Sequence, residues 1–320
     1  MTRPRLVVSR PLPESVENRL AAAFDCAFAR SPDDAARLAE RAETHRADGL
    51  VVCLNDPVTA DLIARLPAGL KVIATYSVGF NHIDLEAARA RGLTVIYTPE
   101  AVTEATADCA ILLLLAACRQ AHAFQLQMQA GEWRGWSGTG LLGGDPGGKR
   151  LGIVGMGRIG RAVAHRARAF GLDIHYFARH RLSAAQEAGA TYHASLESLF
   201  RASHIVSLHT PTTAETRGMI NRTSLSWLPD GAVLVNTARG DQVVDDDLIA
   251  ALHSGKLAAA GLDVFAGEPD FDRRYLDLPN AFLLPHIGTS TIETRELMGE
   301  HLAGDLASVF AGQPPRWRIA

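Results

Sequence analysis

At 320 residues, with 47% hydrophobic and 21% charged side chains, the chain is long enough for two domains that each bury their own core. A net charge of −3 with scattered basic residues argues against a nucleic-acid or membrane-surface partner, and the longest apolar run, Cys109 to Cys118, is too short to span a bilayer. The start Met-Thr-Arg-Pro-Arg enters a strand pattern without a signal-peptide core, which predicts a cytoplasmic protein, and Cys26, Cys53, Cys109 and Cys118 lack paired metal spacing and read as buried free thiols.

In chain order, Leu6 to Ser9 forms a short strand pattern, and Pro13-Glu14-Ser15 opens an amphipathic helix with Val16, Leu20 and Ala23 on one face. Strand patterns at Leu50 to Leu54, Val72 to Thr75 and Leu93 to Tyr97 alternate with helix patterns at Thr59 to Leu66 and Leu85 to Arg91. That alternation builds a parallel sheet, here in a first α/β domain. The loop Tyr76 to Asp84 lies at the carboxyl end of a strand, where open α/β sheets bind ligands, and Gly79 in it lets bare backbone N–H groups meet a carboxylate or simply makes a turn. Thr98-Pro99 ends the rhythm, and Thr103 to Gln129 reads as one long helix with an apolar centre, Ala110 to Ala117. Trp133 and Trp136, in the glycine-rich stretch that follows, suit either core packing or a place near a substrate pocket or subunit interface.

The organising stretch comes next. An apolar strand, Leu151 to Val154, leads into Gly155-Met156-Gly157-Arg158-Ile159-Gly160, then a helix that stops at Gly171, then a second strand, Ile174 to Phe177. In a strand, turn, helix, strand unit Gly155 makes the turn, Gly157 lets backbone approach a pyrophosphate, and Gly160 lets helix and strand pack closely. The residue closing the second strand selects the cofactor, because NAD sites place a carboxylate there for the ribose 2′-hydroxyl. Here Ala178 stands in that place, followed by Arg179 and Arg181, which predicts NADP(H) with NAD weaker unless these arginines are only a solvated cluster.

A helix begins near Leu182, a short strand at Thr191, a helix at Leu196 to Phe200, and strands at His204 to Leu208, Val233 to Asn236 and Ala259 to Leu262. The region from about Glu100 to His286 is thus read as a complete doubly wound sheet, and Thr291 to Ala311 as a helix with Leu297, His301, Leu302 and Leu306 at helical spacing that packs on the first domain. Arg239, Glu268 and His286 each follow a strand, so their side chains face one crevice. Beside a nicotinamide they supply a bidentate carboxylate anchor, an acid partner and a proton donor, which is what reduction of a 2-oxo acid needs.

The motifs SVGFNHID, ATADCAILLLL, GIVGMGRIG, LHTPTTAETRGMI, VNTARG, AAAGLDVFAGEP and LLPHIGTST resemble, in this order, the D-isomer-specific 2-hydroxyacid dehydrogenase family over essentially the whole chain. The GEWRGW stretch and the arginines after the second strand make the chain most similar to the NADP-dependent glyoxylate/hydroxypyruvate reductases. The resemblance implies two α/β domains, Rossmann-like and flavodoxin-like, with doubly wound parallel sheets and the active site in the cleft between them. Residues 1–99 would begin the substrate-binding domain, 100–287 would bind the dinucleotide, and 288–320 would return to the first domain. It implies Arg239 as the carboxylate and carbonyl ligand, His286 as general acid/base, Glu268 as its partner, and Val78 and Gly79 as backbone that grips substrate. Cofactor contacts would come from Thr106, Arg158, Ile159, His209, Pro211, Thr216, Thr237, Ala238 and Gly288 besides the glycine turn, with Asp263 at the nicotinamide carboxamide. It also implies a homodimer, no metal, and NADPH-dependent reduction of glyoxylate or hydroxypyruvate to the D-2-hydroxy acid. A bulkier 2-oxo acid, or a dinucleotide-sensing co-repressor on the same fold, are the competing readings.

Overall fold

The computed structural model describes residues 3–31, 33–140 and 142–320. The chain falls into two compact units, one running to Val102 and resuming at Thr289–Ala320, the other Thr103–Gly288. The changes of unit therefore lie at Val102/Thr103 and Gly288/Thr289, against the expected 99/100 and 287/288.

The first unit contains β1 (Arg5–Val8), α1 (Glu14–Ala23), β2 (Asp25–Ala27), α2 (Asp33–Ala36), α3 (Leu38–Thr44), β3 (Gly49–Val52), α4 (Ala60–Arg65), β4 (Val72–Thr75), α5 (Leu85–Ala90) and β5 (Thr94–Ile96). Its strands form one parallel sheet in the order β2-β1-β3-β4-β5. Every residue of β3 and β4 is buried, as expected of strands covered on both faces. On α1, Val16 and Leu20 are buried as expected, but Ala23 is exposed and Phe24 takes the inward place. The C-terminal helix, Ile292–Phe310, packs on α1 and buries Met298, Leu302 and Leu306. Those three repeat every fourth residue, so Leu297 falls off that face and is 41% exposed. Beyond the helix the last residues pair antiparallel with β5, through Ile319 N–H to Val95 O at 2.8 Å and Val95 N–H to Ala320 O at 2.9 Å. They cover what would otherwise be a free sheet edge.

The second unit contains α6 (Thr103–Cys118), α7 (Ala121–Gln129), β6 (Arg150–Val154), α8 (Arg158–Ala169), β7 (Asp173–Phe177), α9 (Ala184–Glu187), β8 (Thr191–His193), α10 (Leu196–Ala202), β9 (Ile205–Leu208), α11 (Arg222–Trp227), β10 (Ala232–Asn236), α12 (Asp245–His253), β11 (Leu257–Leu262) and β12 (Ala281–Leu283). The parallel order β12-β11-β10-β9-β6-β7-β8 is doubly wound, and the chain reverses direction across the sheet between β6 and β9. Ligands bind at such a reversal, off the carboxyl ends of the strands.

The expected single helix Thr103 to Gln129 is two helices bent by 67°. Its apolar centre gave no break signal, because the break is imposed from outside. Gly144 N–H takes the Cys118 carbonyl at 2.7 Å, ending α6, and Gln120 turns left-handed at φ 50°. All four cysteines are free; Cys109 and Cys118 are buried, while Cys26 and Cys53 are half-buried. Burial pushes the thiols of Cys26, Cys53 and Cys109 up to about 12, so they are inert. Among the described residues no single helix is long and apolar enough to cross a membrane, and no three His, Cys, Asp or Glu side chains are grouped to hold a metal ion.

One polar chain ties β7, β8 and α10 together. Asp173 accepts from His175 Nε2 at 3.1 Å, His175 Nδ1 and His193 Nε2 are 2.8 Å apart, and Ser198 Oγ lies 2.8 Å from His193 Nδ1. When His175 is neutral, the accepting carboxylate gives each link in turn one direction, ending with the Ser198 hydroxyl as donor. Desolvation first, then His175, lowers the pKa of His193, and burial pushes His209 down to about 3. For both, the folded pKa lies below the unfolded one, so their stabilisation is complete above about pH 6.5 and is lost as pH falls, by at most about 1.4 kcal/mol per pH unit for the enclosed His209 and by less for the more exposed, solvent-screened His193. We therefore expect the melting temperature to be flat from pH 8 to about 6.5 and to fall toward pH 5. The slope should be shallower in His209→Asn, and equal slopes for the two proteins would show that His209 carries none of it.

Candidate active site

The glycine turn joins β6 to α8. Gly155 has φ +95°, and a Cβ on it would stand 2.8 Å from the His209 carbonyl, while one on Gly160 would stand 2.2 Å from the Gly155 oxygen. Neither position admits a side chain. A Cβ at Gly157, by contrast, would meet nothing within 4 Å, so the backbone is open to approach. No side chain caps α8 and no acidic residue sits in its first turn, where Arg158 and Ile159 stand, so the positive end of its dipole favours an anion. At the neighbouring strand ends, Thr237 Oγ1 and Gln242 Oε1 are buried polar atoms without a hydrogen-bond partner. His209 Nε2 lies 2.8 Å from Ser207 Oγ, Thr216 Oγ1 donates to the Pro211 carbonyl at 2.8 Å, and Ala238 N–H donates to Asn236 Oδ1 at 2.9 Å. An uncapped helix, a bare glycine backbone and orphaned polar atoms around one strand crevice fit a dinucleotide.

Past β7, Ala178 packs against the core beside the exposed Arg179 and Arg181. The two arginines differ. Arg181 Nε and Nη2 hold the two oxygens of Glu187 at 2.8 and 3.3 Å, and its guanidinium lies over the Tyr192 ring. Glu187 is itself buried and accepts from Tyr176 Oη at 2.6 Å. The planar fork of Arg181 is thus occupied within the fold, whereas Arg179 stands exposed past the strand end.

Arg239, Glu268 and His286 are brought together by backbone packing. A Cβ on Gly240 would lie 1.8 Å from the Phe265 carbonyl carbon, so only glycine allows the Arg239 turn and the Phe265–Glu268 turn to touch. Glu268 holds His286 Nδ1 at 2.6 Å with Oε2 and the Phe265 N–H at 2.6 Å with Oε1. Burial works to raise the Glu268 pKa, but the hydrogen bond and charge of His286, the Phe265 N–H and Arg239 outweigh it, so the group lies below the usual carboxylate range. With an ionised carboxylate on Nδ1, Nδ1 carries hydrogen and Nε2 is left for proton transfer. His286 has φ +55°, a conformation that costs a non-glycine residue on the order of 1 kcal/mol. Asp263, only 1% exposed, holds it there by accepting from Ile287 N–H at 2.7 Å and Gly288 N–H at 2.8 Å. Burial raises the Asp263 pKa against those two bonds. A Cβ on Gly288 would meet Asp263 Oδ2 at 3.1 Å and Thr106 at 3.6 Å, which puts Thr106 in the same cluster. Arg239 donates to the Ala238 carbonyl at 2.5 Å and, among the described residues, makes no ion pair. Burial lowers its pKa while Glu268 and Asp241 oppose, so it is a desolvated cation set for an anionic ligand.

In the first unit, Val78 and Gly79 lie half-buried just past β4. Sequence reasoning missed a buried cluster nearby, where Asp56 accepts from Ser9 Oγ at 2.5 Å, Arg10 Nε at 2.6 Å and Cys53 N–H at 2.7 Å. It fastens the carboxyl ends of β1 and β3, and an aspartate one turn beyond a buried strand was its only signal. Trp133 and Trp136 are 54% and 91% exposed, which rules out core packing for them.

Comparison with known proteins agrees with this geometry. Residues 111–288 match the D-isomer specific 2-hydroxyacid dehydrogenase, NAD binding domain. The chain belongs to the D-isomer-specific 2-hydroxyacid dehydrogenase family. It is 44% identical to a glycerate dehydrogenase of Hyphomicrobium methylovorum over 324 aligned residues, covering 100% of both chains. It is 38% identical to a glyoxylate reductase of Thermococcus litoralis, covering 98% of this chain and 96% of that one. A crystal structure of a family member from Polaromonas sp. JS6 66 superposes with a TM-score of 0.93 at 44% identity, over 99% of this dehydrogenase and 100% of that chain. An NADPH-dependent glyoxylate/hydroxypyruvate reductase of Sinorhizobium meliloti, solved with NADP and malonate, gives 0.86 at 32% identity, over 100% and 97%. The chain is therefore an NAD(P)-dependent oxidoreductase of 2-hydroxy acids with two parallel-sheet α/β domains.

Proposed function

We propose that this dehydrogenase reduces a small 2-oxo acid, glyoxylate or hydroxypyruvate, to the D-2-hydroxy acid with NADPH as the preferred cofactor. The observation that carries the chemistry is the His286–Glu268 pair at 2.6 Å beside an Arg239 that has no ion-pair partner among the described residues. Arg239 grips the substrate carboxylate with its planar fork and steadies the oxygen that gains negative charge. His286 Nε2 delivers the proton to that oxygen, while Glu268 on Nδ1 orients the ring and stabilises its cationic form. A nicotinamide held at the glycine turn would supply the hydride for C2 of the oxo acid. Asp263 supports the reaction by holding His286 in its left-handed backbone, and with Thr106 and Gly288 beside it, it would be the residue to meet a nicotinamide carboxamide. In the first unit, the backbone at Val78 and Gly79 offers N–H groups to the substrate.

NADPH preference rests on Ala178 and Arg179. Charge-assisted hydrogen bonds contribute about 1.5 to 3 kcal/mol, so a single contact from Arg179 to a 2′-phosphate gives a preference of about tenfold or more. Arg181 should be left in place when this is tested, because neutralising it would strand the buried Glu187 carboxylate. The expected result is that Ala178→Asp combined with Arg179→Ala lowers the NADPH-to-NADH ratio of kcat/KM by at least tenfold. A wild-type enzyme that favours NADH, or an unchanged ratio in the variant, would sink the assignment.

We also propose a homodimer formed through α7 and the loop after it. None of the nine residues of α7 is buried, and Leu126, Met128, Trp133, Trp136 and Leu142 expose large apolar surface there.

A further inference from the structure

The loop carrying Val78 and Gly79 hangs on a buried chain of hydroxyls that the chemistry above leaves unused. Ser77 Oγ donates to the Gly79 carbonyl at 2.5 Å, Thr75 Oγ1 lies 2.7 Å from Ser77 Oγ, and His82 Nε2 lies 3.1 Å from Thr75 Oγ1. A carbonyl only accepts, so the single hydrogen of Ser77 is committed to Gly79. The Thr75 hydroxyl must then donate to Ser77, and His82 Nε2–H to Thr75. Every link therefore points at one peptide oxygen. Thr75 is 0% and Ser77 7% exposed, so neither hydroxyl has water to turn to, and each would be costly to leave unpaired.

Both ends of the chain are anchored. Thr75 closes β4, whose register with β3 pairs it with Val52, and Tyr76 N–H donates to the Val52 carbonyl at 2.8 Å. At the far end the His82 carbonyl accepts from Val58 N–H at 2.8 Å, and Asp84 N–H donates to the Val58 carbonyl at 2.9 Å. Between the anchors stands Gly79, the residue type with most backbone freedom to lose. Its carbonyl is the group that the Ser77 hydroxyl holds.

We propose that Ser77, supported by Thr75 and His82, is a positioning residue that pre-orders the Val78–Gly79 backbone for the substrate carboxylate and so sets KM for the 2-oxo acid. The proposal rests on the reading of Val78 and Gly79 as substrate-binding backbone. Buried, with its hydroxyl committed to the Gly79 carbonyl, Ser77 acts by removing the entropy that a free loop would lose on binding.

The test is steady-state kinetics of the full-length enzyme with glyoxylate and NADPH, alongside Ser77→Ala, Thr75→Val and Thr75→Ser. Thr75→Val keeps the shape and loses the hydroxyl, whereas Thr75→Ser keeps the hydroxyl. In Ser77→Ala, KM for glyoxylate should rise about tenfold, the size expected from one backbone residue regaining its freedom. KM for NADPH should stay unchanged and kcat should stay within about twofold. Thr75→Val should shift the glyoxylate KM in the same direction and Thr75→Ser should restore it, which keeps the test alive if Ser77→Ala does not fold. An active wild type whose glyoxylate KM is untouched in Ser77→Ala and Thr75→Val overturns the positioning role alone. So does a uniform change in both KM values and kcat, which marks a general structural defect. A wild type that turns over no 2-oxo acid overturns the substrate reading, and this proposal with it.

Discussion

Replacing His286 by alanine lowers kcat by roughly two to four orders of magnitude, the loss expected when a positioned general acid is removed. The glycine turn and α8 do not depend on the imidazole, so NADPH affinity, read by fluorescence titration, stays near the wild-type value. Glu268→Gln should fall between the two proteins. An amide can still meet Nδ1, but it no longer stabilises the cation, and Glu268 Oε1 holds the Phe265 N–H in the native fold. Near-wild-type turnover in His286→Ala would remove this residue from the mechanism.

Arg239→Lys should lower kcat/KM for glyoxylate by about one to two orders of magnitude. Two effects add. Lysine loses the planar fork, and with it one of two charge-assisted hydrogen bonds worth about 1.5 to 3 kcal/mol each. It also enters surroundings that already lower the pKa of arginine by burial, where an ammonium loses its charge more readily than a guanidinium. A lysine variant that retains kcat/KM would show that the anchor is a point charge and not a fork.

Much of this was legible because function coincides with backbone punctuation. The run Leu151 to Gly160 announces itself through glycines, and two of the three prove sterically obligatory at contacts of 2.8 and 2.2 Å. Arg239, Glu268 and His286 each follow a strand that reads as a near-continuous apolar run, so the carboxyl-end rule gave their meeting place. What stayed hidden depends on partners distant in sequence. The bend after Cys118 is made by Gly144, and an Ala/Leu-rich helix carries no local sign of it. Arg181 faces Glu187 across a turn, at a separation of six residues that brings side chains together in neither a helix nor a strand, so its engagement could not be read from spacing. β2 is only three residues long with no fully buried position, and α3 is short, so neither gave a hydrophobic pattern strong enough to read. The Thr75, Ser77 and His82 chain consists of residues that, as letters, describe any polar loop. Only burial gives them direction.

The most direct test is NADPH oxidation by the purified wild-type enzyme with glyoxylate and hydroxypyruvate, followed by absorbance on the order of minutes, with NADH in parallel and the chirality of the glycerate product determined. Saturable turnover of both substrates, a higher kcat/KM with NADPH, and D-glycerate as product are the predicted result. Dinucleotide binding without turnover of any 2-oxo acid by either cofactor would contradict it, and would leave the crevice around His286 as a sensing site and not a catalytic one.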